Sequence, residues 1–109
     1  MRTDALRVQD ALAAIAQIER RTTRDQAEFF ADELIQIWVL YHLAVIGEAL
    51  RAMSTEFQSQ HPEINWAGWT GLRNIVVHQY FRIQPQRIWD TIDIHLPTSK
   101  AQLEIAARA

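Results

Sequence analysis

Residues 34–46 read LIQIWVLYHLAVI, and only Gln36 and His42 interrupt the apolar run. No convincing period-two alternation marks a strand here or elsewhere in the chain, so the run reads as helix. A helix that is apolar on nearly every side must be buried on more than one side. In 109 residues, the size of one domain, that makes it the central helix. It also leaves apolar surface for contact with a second copy of the chain. Trp38 and Tyr41 belong either to that contact or to the core. The run falls short of the ~20 residues of a membrane span and is flanked by acids, so no membrane partner is expected.

Outward from this run, one long helix is expected from about Asp25 to Met53. Gly47 lies inside it, where glycine costs up to about 1 kcal/mol relative to alanine. Close approach of another helix would account for it. Glu48 follows. It either holds Arg73, orients His78, or pairs at the surface with Arg51.

Upstream, residues 4–21 form a first helix, with Thr3 as N-cap and Asp4 at the positive end of the dipole. Val8, Leu12, Ile15 and Ile18 make its apolar stripe. Thr22 and Thr23 mark a break, and Thr23 with Gln26 has capping-box spacing. Downstream, residues 54–65 are expected as the main loop, since Pro62 excludes a continuous helix. Asn65 is the expected N-cap of a helix over 66–81. Trp66 and Trp69 at its start suit core packing better than base stacking. Pro85 opens a fourth helix with Ile88, Ile92 and Leu96 as its buried stripe. Pro97 is expected to end or kink it, and Ser99 to cap a last short helix through Ala107.

Three glycines and three prolines leave little room for turns. The expectation is a single all-α domain over residues 1–109, an up-and-down bundle of four main helices with a short C-terminal helix, assembled as a homodimer. Cysteine is absent, which excludes disulfides. Met1 to Asp10 is charged and carries no apolar signal core, so a cytoplasmic protein is expected.

The chemistry concentrates in residues 71–81, GLRNIVVHQYF. Arg73, Asn74, His78 and Tyr80 supply a cation, an amide, an imidazole and a phenol within eight positions. On a helix Asn74 and His78 fall one turn apart on one face. Arg73 and His78 are separated by roughly 140 degrees, so they meet only if Arg73 reaches around or a second copy completes the site. Imidazole takes and gives a proton near neutrality, and the guanidinium forks onto phosphate. Together they suit cleavage of an RNA phosphodiester by its own 2′-hydroxyl, with His78 moving the proton and Arg73 stabilising charge on the phosphoryl oxygens. Tyr80 could donate a hydrogen bond, stack on a base, or attack an activated phosphate. The plainer alternative is a core histidine and an Arg–Asn pair that braces a neighbouring helix.

Net charge is −2, but it is unevenly spread. From Ile64 to Trp89 there is no Asp or Glu, so Arg73, Arg82 and Arg87 give that window +3 against −5 for the remainder. That fits one phosphate site, not a broad duplex-binding face. Asp93 and His95 lack a third partner at metal-ligand spacing, and His42 and His61 are isolated. With no P-loop and no nucleophilic cysteine, neither a metal nor a cofactor is expected.

The 73–80 pattern resembles the R-x4-H-x-Y motif of HEPN-domain proteins of the HepT-like branch: Arg73, His78 and Tyr80 match the named positions, and Asn74 matches the polar residue after the arginine. The flanks AVIGEAL (44–50), HPEINW (61–66) and RIWDTIDIHLP (87–97) resemble the family's segments in register. The resemblance implies a metal-independent ribonuclease toxin of a prokaryotic toxin–antitoxin pair. It implies a homodimer whose motif helices face each other across a cleft. It also implies a minimal nucleotidyltransferase antitoxin that silences the toxin by transferring AMP to Tyr80. The competing reading is a non-catalytic nucleotide-binding or adaptor module serving such a nucleotidyltransferase.

Overall fold

The computed structural model describes residues 2–22, 25–79 and 82–108, and among them every regular element is helical. The order is α1 (Asp4–Arg21), α2 (Gln26–Ala31), α3 (Glu33–Arg51), α4 (Thr55–Gln60), α5 (Trp66–Gln79), α6 (Pro85–Asp90), a π turn (Thr91–His95) and α7 (Leu96–Arg108). The α6–π–α7 run is one continuous rod, so α1, α3, α5 and this rod are the four legs of the bundle.

α1 begins as its sequence dictates. The Thr3 hydroxyl accepts from the Leu6 amide, and Val8, Ile15 and Ile18 are buried. The expected long second helix is broken at Asp32. Its backbone turns extended (φ −124°, ψ 98°), and its carboxylate accepts from the Leu34 and Ile35 amides. A short acidic side chain can replace helical hydrogen bonds with bonds of its own, and here it starts a new helix. The Gln36 amide bonds the carbonyls of Phe29 and Phe30 at the end of α2 and fixes the corner. The cap of α2 is Asp25, which accepts from the Glu28 amide. Thr23, assigned that role from its spacing, lies outside the described residues.

α3 is central. It packs on α1 along one side and α5 along another, and Val39, Leu43, Ile46 and Leu50 are fully buried. Among the described residues it is the one helix with the length and apolarity of a membrane span, and these positions lie in the core. The expected loop at 54–65 contains a short helix, α4, capped by the Ser54 hydroxyl on the Phe57 amide. The same serine ties α4 to α1: its amide and hydroxyl both donate to the Asp4 carboxylate, at 2.9 and 2.6 Å.

Those two bonds hold the Asp4 carboxyl below its ordinary value, the hydroxyl bond contributing most. A depressed folded-state value stabilises the fold above the unfolded value of about 3.9 and is lost as pH falls through the lowered one. Asp4→Asn is therefore expected to lower the thermal midpoint at pH 7 and to converge on wild type in acid. Paired melts at pH 7 and pH 3 would show this, and an equal gap at both values would exclude it.

The C-terminal rod departs from expectation. Pro97 does not end it, and the helical run passes through a π turn into α7. The Leu96 amide donates to the Thr91 carbonyl, five residues back, and α7 runs on to Arg108. Proline offers no N–H and its ring crowds the carbonyl one turn earlier, and the wide π turn just before Pro97 makes room. Ser99 is not a cap. It is buried within α7, where its hydroxyl accepts from the Trp69 indole at 2.9 Å. That bond fastens α7 to α5.

Candidate active site

Asn65 opens α5 by accepting from the Gly68 amide, and Trp69 and Val76 bury one face of the helix. Trp66 is half-buried, with its indole donating to the His61 carbonyl, so both tryptophans pack as structural anchors.

The same stripe, through Arg73, packs on α3. A Cβ on Gly47 would lie 2.5 Å from the Arg73 Cβ and 2.9 Å from the Trp69 carbonyl oxygen. Glycine is required here because the α5 backbone and the root of Arg73 occupy that space. The close approach expected from Gly47 is thus made by the motif helix itself.

The next residue, Glu48, meets the arginine head group. Arg73 Nε lies 2.7 Å from Glu48 Oε2, and Arg73 Nη1 donates to Asn74 Oδ1 at 3.0 Å. The other Glu48 oxygen lies 3.3 Å from Arg51. Glu48 therefore satisfies two of its readings at once, the pair with Arg51 and the hold on Arg73. The trio carries one net positive charge. Two of the five guanidinium N–H groups are engaged, and three remain for an incoming oxyanion. The arginine side chain is only 22% exposed, so packing and the ion pair restrict its rotamers.

His78 is exposed on the outward side of α5, with Asn74 exposed one turn before it. Among the described residues the imidazole has no hydrogen-bond or ion-pair partner. Among the described residues no hydrogen bond or ion pair joins it to Glu48 or to Arg73. Tyr80 lies outside the described residues. No three His, Cys, Asp or Glu side chains among the described residues come together as a metal-binding group.

An apolar surface accompanies the site. Leu34 is 79% exposed, Tyr41 64% and Ile37 59%, all along one side of α3, and Val77 on α5 is half exposed. Trp38 is partly covered instead, under the Arg21 guanidinium and with its indole donating to the Gln17 carbonyl.

The family profile described as ribonuclease HepT-like matches residues 11–106. The chain is 32% identical over 98 residues to a Thermococcus cleftensis protein named "Probable ribonuclease HepT", covering 89% of each. It is 35% identical over 81 residues to a Methanocaldococcus jannaschii protein provisionally named as an RNase, covering 74% of each. No solved structure was found to match. With nearly the whole bundle inside the family profile, and the arginine and histidine of 73–78 presented on its third leg, the chain belongs to the ribonuclease HepT-like family.

Proposed function

We propose that this protein is a metal-independent endoribonuclease, the toxin of a toxin–antitoxin pair, with Arg73 and His78 as its catalytic residues. The observation that carries the reading is the Arg73 guanidinium, aimed by Glu48 and Asn74 with three donors left over, on the same helix as an unpartnered imidazole. His78 takes the proton of the RNA 2′-hydroxyl as its oxygen attacks the adjacent phosphorus. The 5′-oxygen leaves and is protonated, by imidazolium or water. The products are a 2′,3′-cyclic phosphate and a 5′-hydroxyl. Arg73 neutralises the charge that builds on the phosphoryl oxygens.

Glu48 and Asn74 are positioning residues, acting through Arg73. Glu48→Ala frees the guanidinium, and cleavage is expected to fall about 10- to 100-fold, the scale of a misplaced catalytic group. Initial rates on a fluorogenic RNA would measure this, and unchanged rates would remove Glu48 from the machinery.

Within one chain the two catalytic groups point about 140 degrees apart. A homodimer supports both, by setting the arginine of one motif helix near the histidine of the other. The exposed Leu34, Ile37 and Tyr41 supply a surface for it. Leu34→Asp with Ile37→Asp is expected to give a folded monomer by light scattering, with cleavage lost.

The same reading places Tyr80 as the acceptor of AMP from a minimal nucleotidyltransferase antitoxin. The phenolic oxygen bonds the α-phosphorus of ATP, pyrophosphate leaves, and the phenolic proton passes to solvent. The added charge and bulk would shut out an RNA phosphate.

The test is RNA cleavage by the purified chain in EDTA, with the product ends identified and the intact mass recorded. Cyclic phosphate ends in EDTA support the reading. No cleavage by a chain of unmodified mass would favour the nucleotide-binding or adaptor module.

A further inference from the structure

We propose that the cleft between α5 and the α6–π–α7 rod binds a nucleoside monophosphate, free or as one residue of an RNA strand, through Arg87 and His95. The cleft measures about 500 Å³, within the range of small-ligand sites. It lies along the first half of α5, away from the face that carries His78.

The alignment of Arg87 and His95 comes from the π turn. Eight residues of regular α-helix would rotate His95 about 80 degrees from Arg87. The extra residue taken up by the wide turn subtracts about 100 degrees, which brings the two within about 20 degrees of one line. Both line the cleft, roughly 10 Å apart along the rod, a span their side chains can close around one phosphate. Among the described residues neither the guanidinium nor the imidazole has a partner. Pro97 gives the wide turn a structural reason, but it does not account for two unpartnered basic side chains on one wall. Arg87 also belongs to the acid-free window, and the proposed cleavage chemistry does not use it.

The other linings narrow the ligand. Asp90 and Glu63 also face the cleft, which disfavours a polyanion laid along it. Asp90 has one oxygen on the Gln86 amide, at 2.8 Å, and the other is available to accept from the N–H edge of a base. Leu72 and the 59%-exposed Ile94 offer apolar cover for a flat ring. One phosphate, N–H donors and a planar apolar body together describe a nucleotide.

The test is an NMR titration of the ¹⁵N-labelled full chain with 5′-AMP, 5′-GMP, 5′-CMP, 5′-UMP and inorganic phosphate. Expected are saturable shifts at the amides of residues 87–99 and 68–72, with a Kd on the order of 1 mM or tighter for at least one nucleotide and weaker binding of phosphate. Arg87→Gln and His95→Ala should each weaken binding about 10-fold, a loss of roughly 1.4 kcal/mol. Both residues are exposed, and circular dichroism checks the fold. A 2′-O-methyl tetranucleotide that binds more tightly through the same amides assigns an RNA residue as the ligand, and equal binding assigns the free nucleotide. The proposal is overturned by an absence of saturable shifts there at about 10 mM. It is equally overturned by shifts confined to residues 73–78, or by binding that survives both substitutions. Binding is read without cleavage, so failure of the ribonuclease reading leaves this test intact.

Discussion

His78→Ala is expected to reduce RNA cleavage in EDTA by about 10²- to 10⁴-fold, the contribution of a positioned general base, while leaving the fold unchanged. The second half of that statement follows from burial. The imidazole is exposed and has no partner among the described residues, so its removal opens no cavity and orphans no buried group. Melting temperature and circular dichroism should match wild type. Wild-type activity in the variant would remove His78 from the mechanism. In a composite site, mixing His78→Ala chains with Arg73→Ala chains should restore part of the activity, because one of the two pockets in a mixed dimer keeps both groups. Failure of both single variants to recover on mixing would argue that each pocket is built from one chain.

Gly47→Val should cost about 3 kcal/mol or more, the upper range of overpacking, and should lower the thermal midpoint accordingly. The atoms in the way are the Arg73 Cβ and the Trp69 carbonyl, both close to the α5 backbone, so no flexible side-chain end can move aside. The whole motif helix must shift. Any folded fraction should therefore also cleave poorly, with Arg73 displaced from Glu48. Gly71 offers the internal control. A Cβ there meets nothing within 4 Å, so Gly71→Ala should stabilise by up to about 1 kcal/mol through helix propensity alone. Opposite signs at the two glycines, measured by chemical denaturation, would establish that close packing and not helicity governs position 47. A loss at Gly71 instead would show a second molecule against that face.

The legible parts of the fold were those written in local chemistry. Thr3, Asn65 and Pro85 start their helices as their side chains require, and the apolar stripe of the rod lands in the core. What escaped was competition between neighbours. Asp32 reads as one more acid in a long helix, because nothing local says that its carboxylate will take two amides and start afresh. α4 spans six residues, too few for periodicity to register. Pro97 is a reliable disruptor only if the turn before it stays α-helical, and here that turn widens. Ser99 looks like a cap until Trp69, thirty residues earlier, claims its hydroxyl.

The candidate site divides the same way. Arg73, Asn74 and His78 stood out by type and spacing. Whether Glu48 served Arg51 or Arg73 depended on how α3 and α5 cross, and the answer, both, needed the third dimension. Gly47 was the available signal, since a glycine inside an apolar helix marks where another helix arrives.

The seating of Arg73 has a genetic consequence. Its first side-chain carbon fills the notch at Gly47, so the residue serves packing as well as charge, whereas His78 stands apart from the core. Lineages under pressure to shed this activity therefore have unequal exits. Changes at position 78 would leave a sound, abundant protein still able to engage its partners. Changes at position 47 would tend to remove the protein altogether through turnover. Inactive descendants that persist as intact chains should have drifted first at the histidine and kept the glycine at 47 longest.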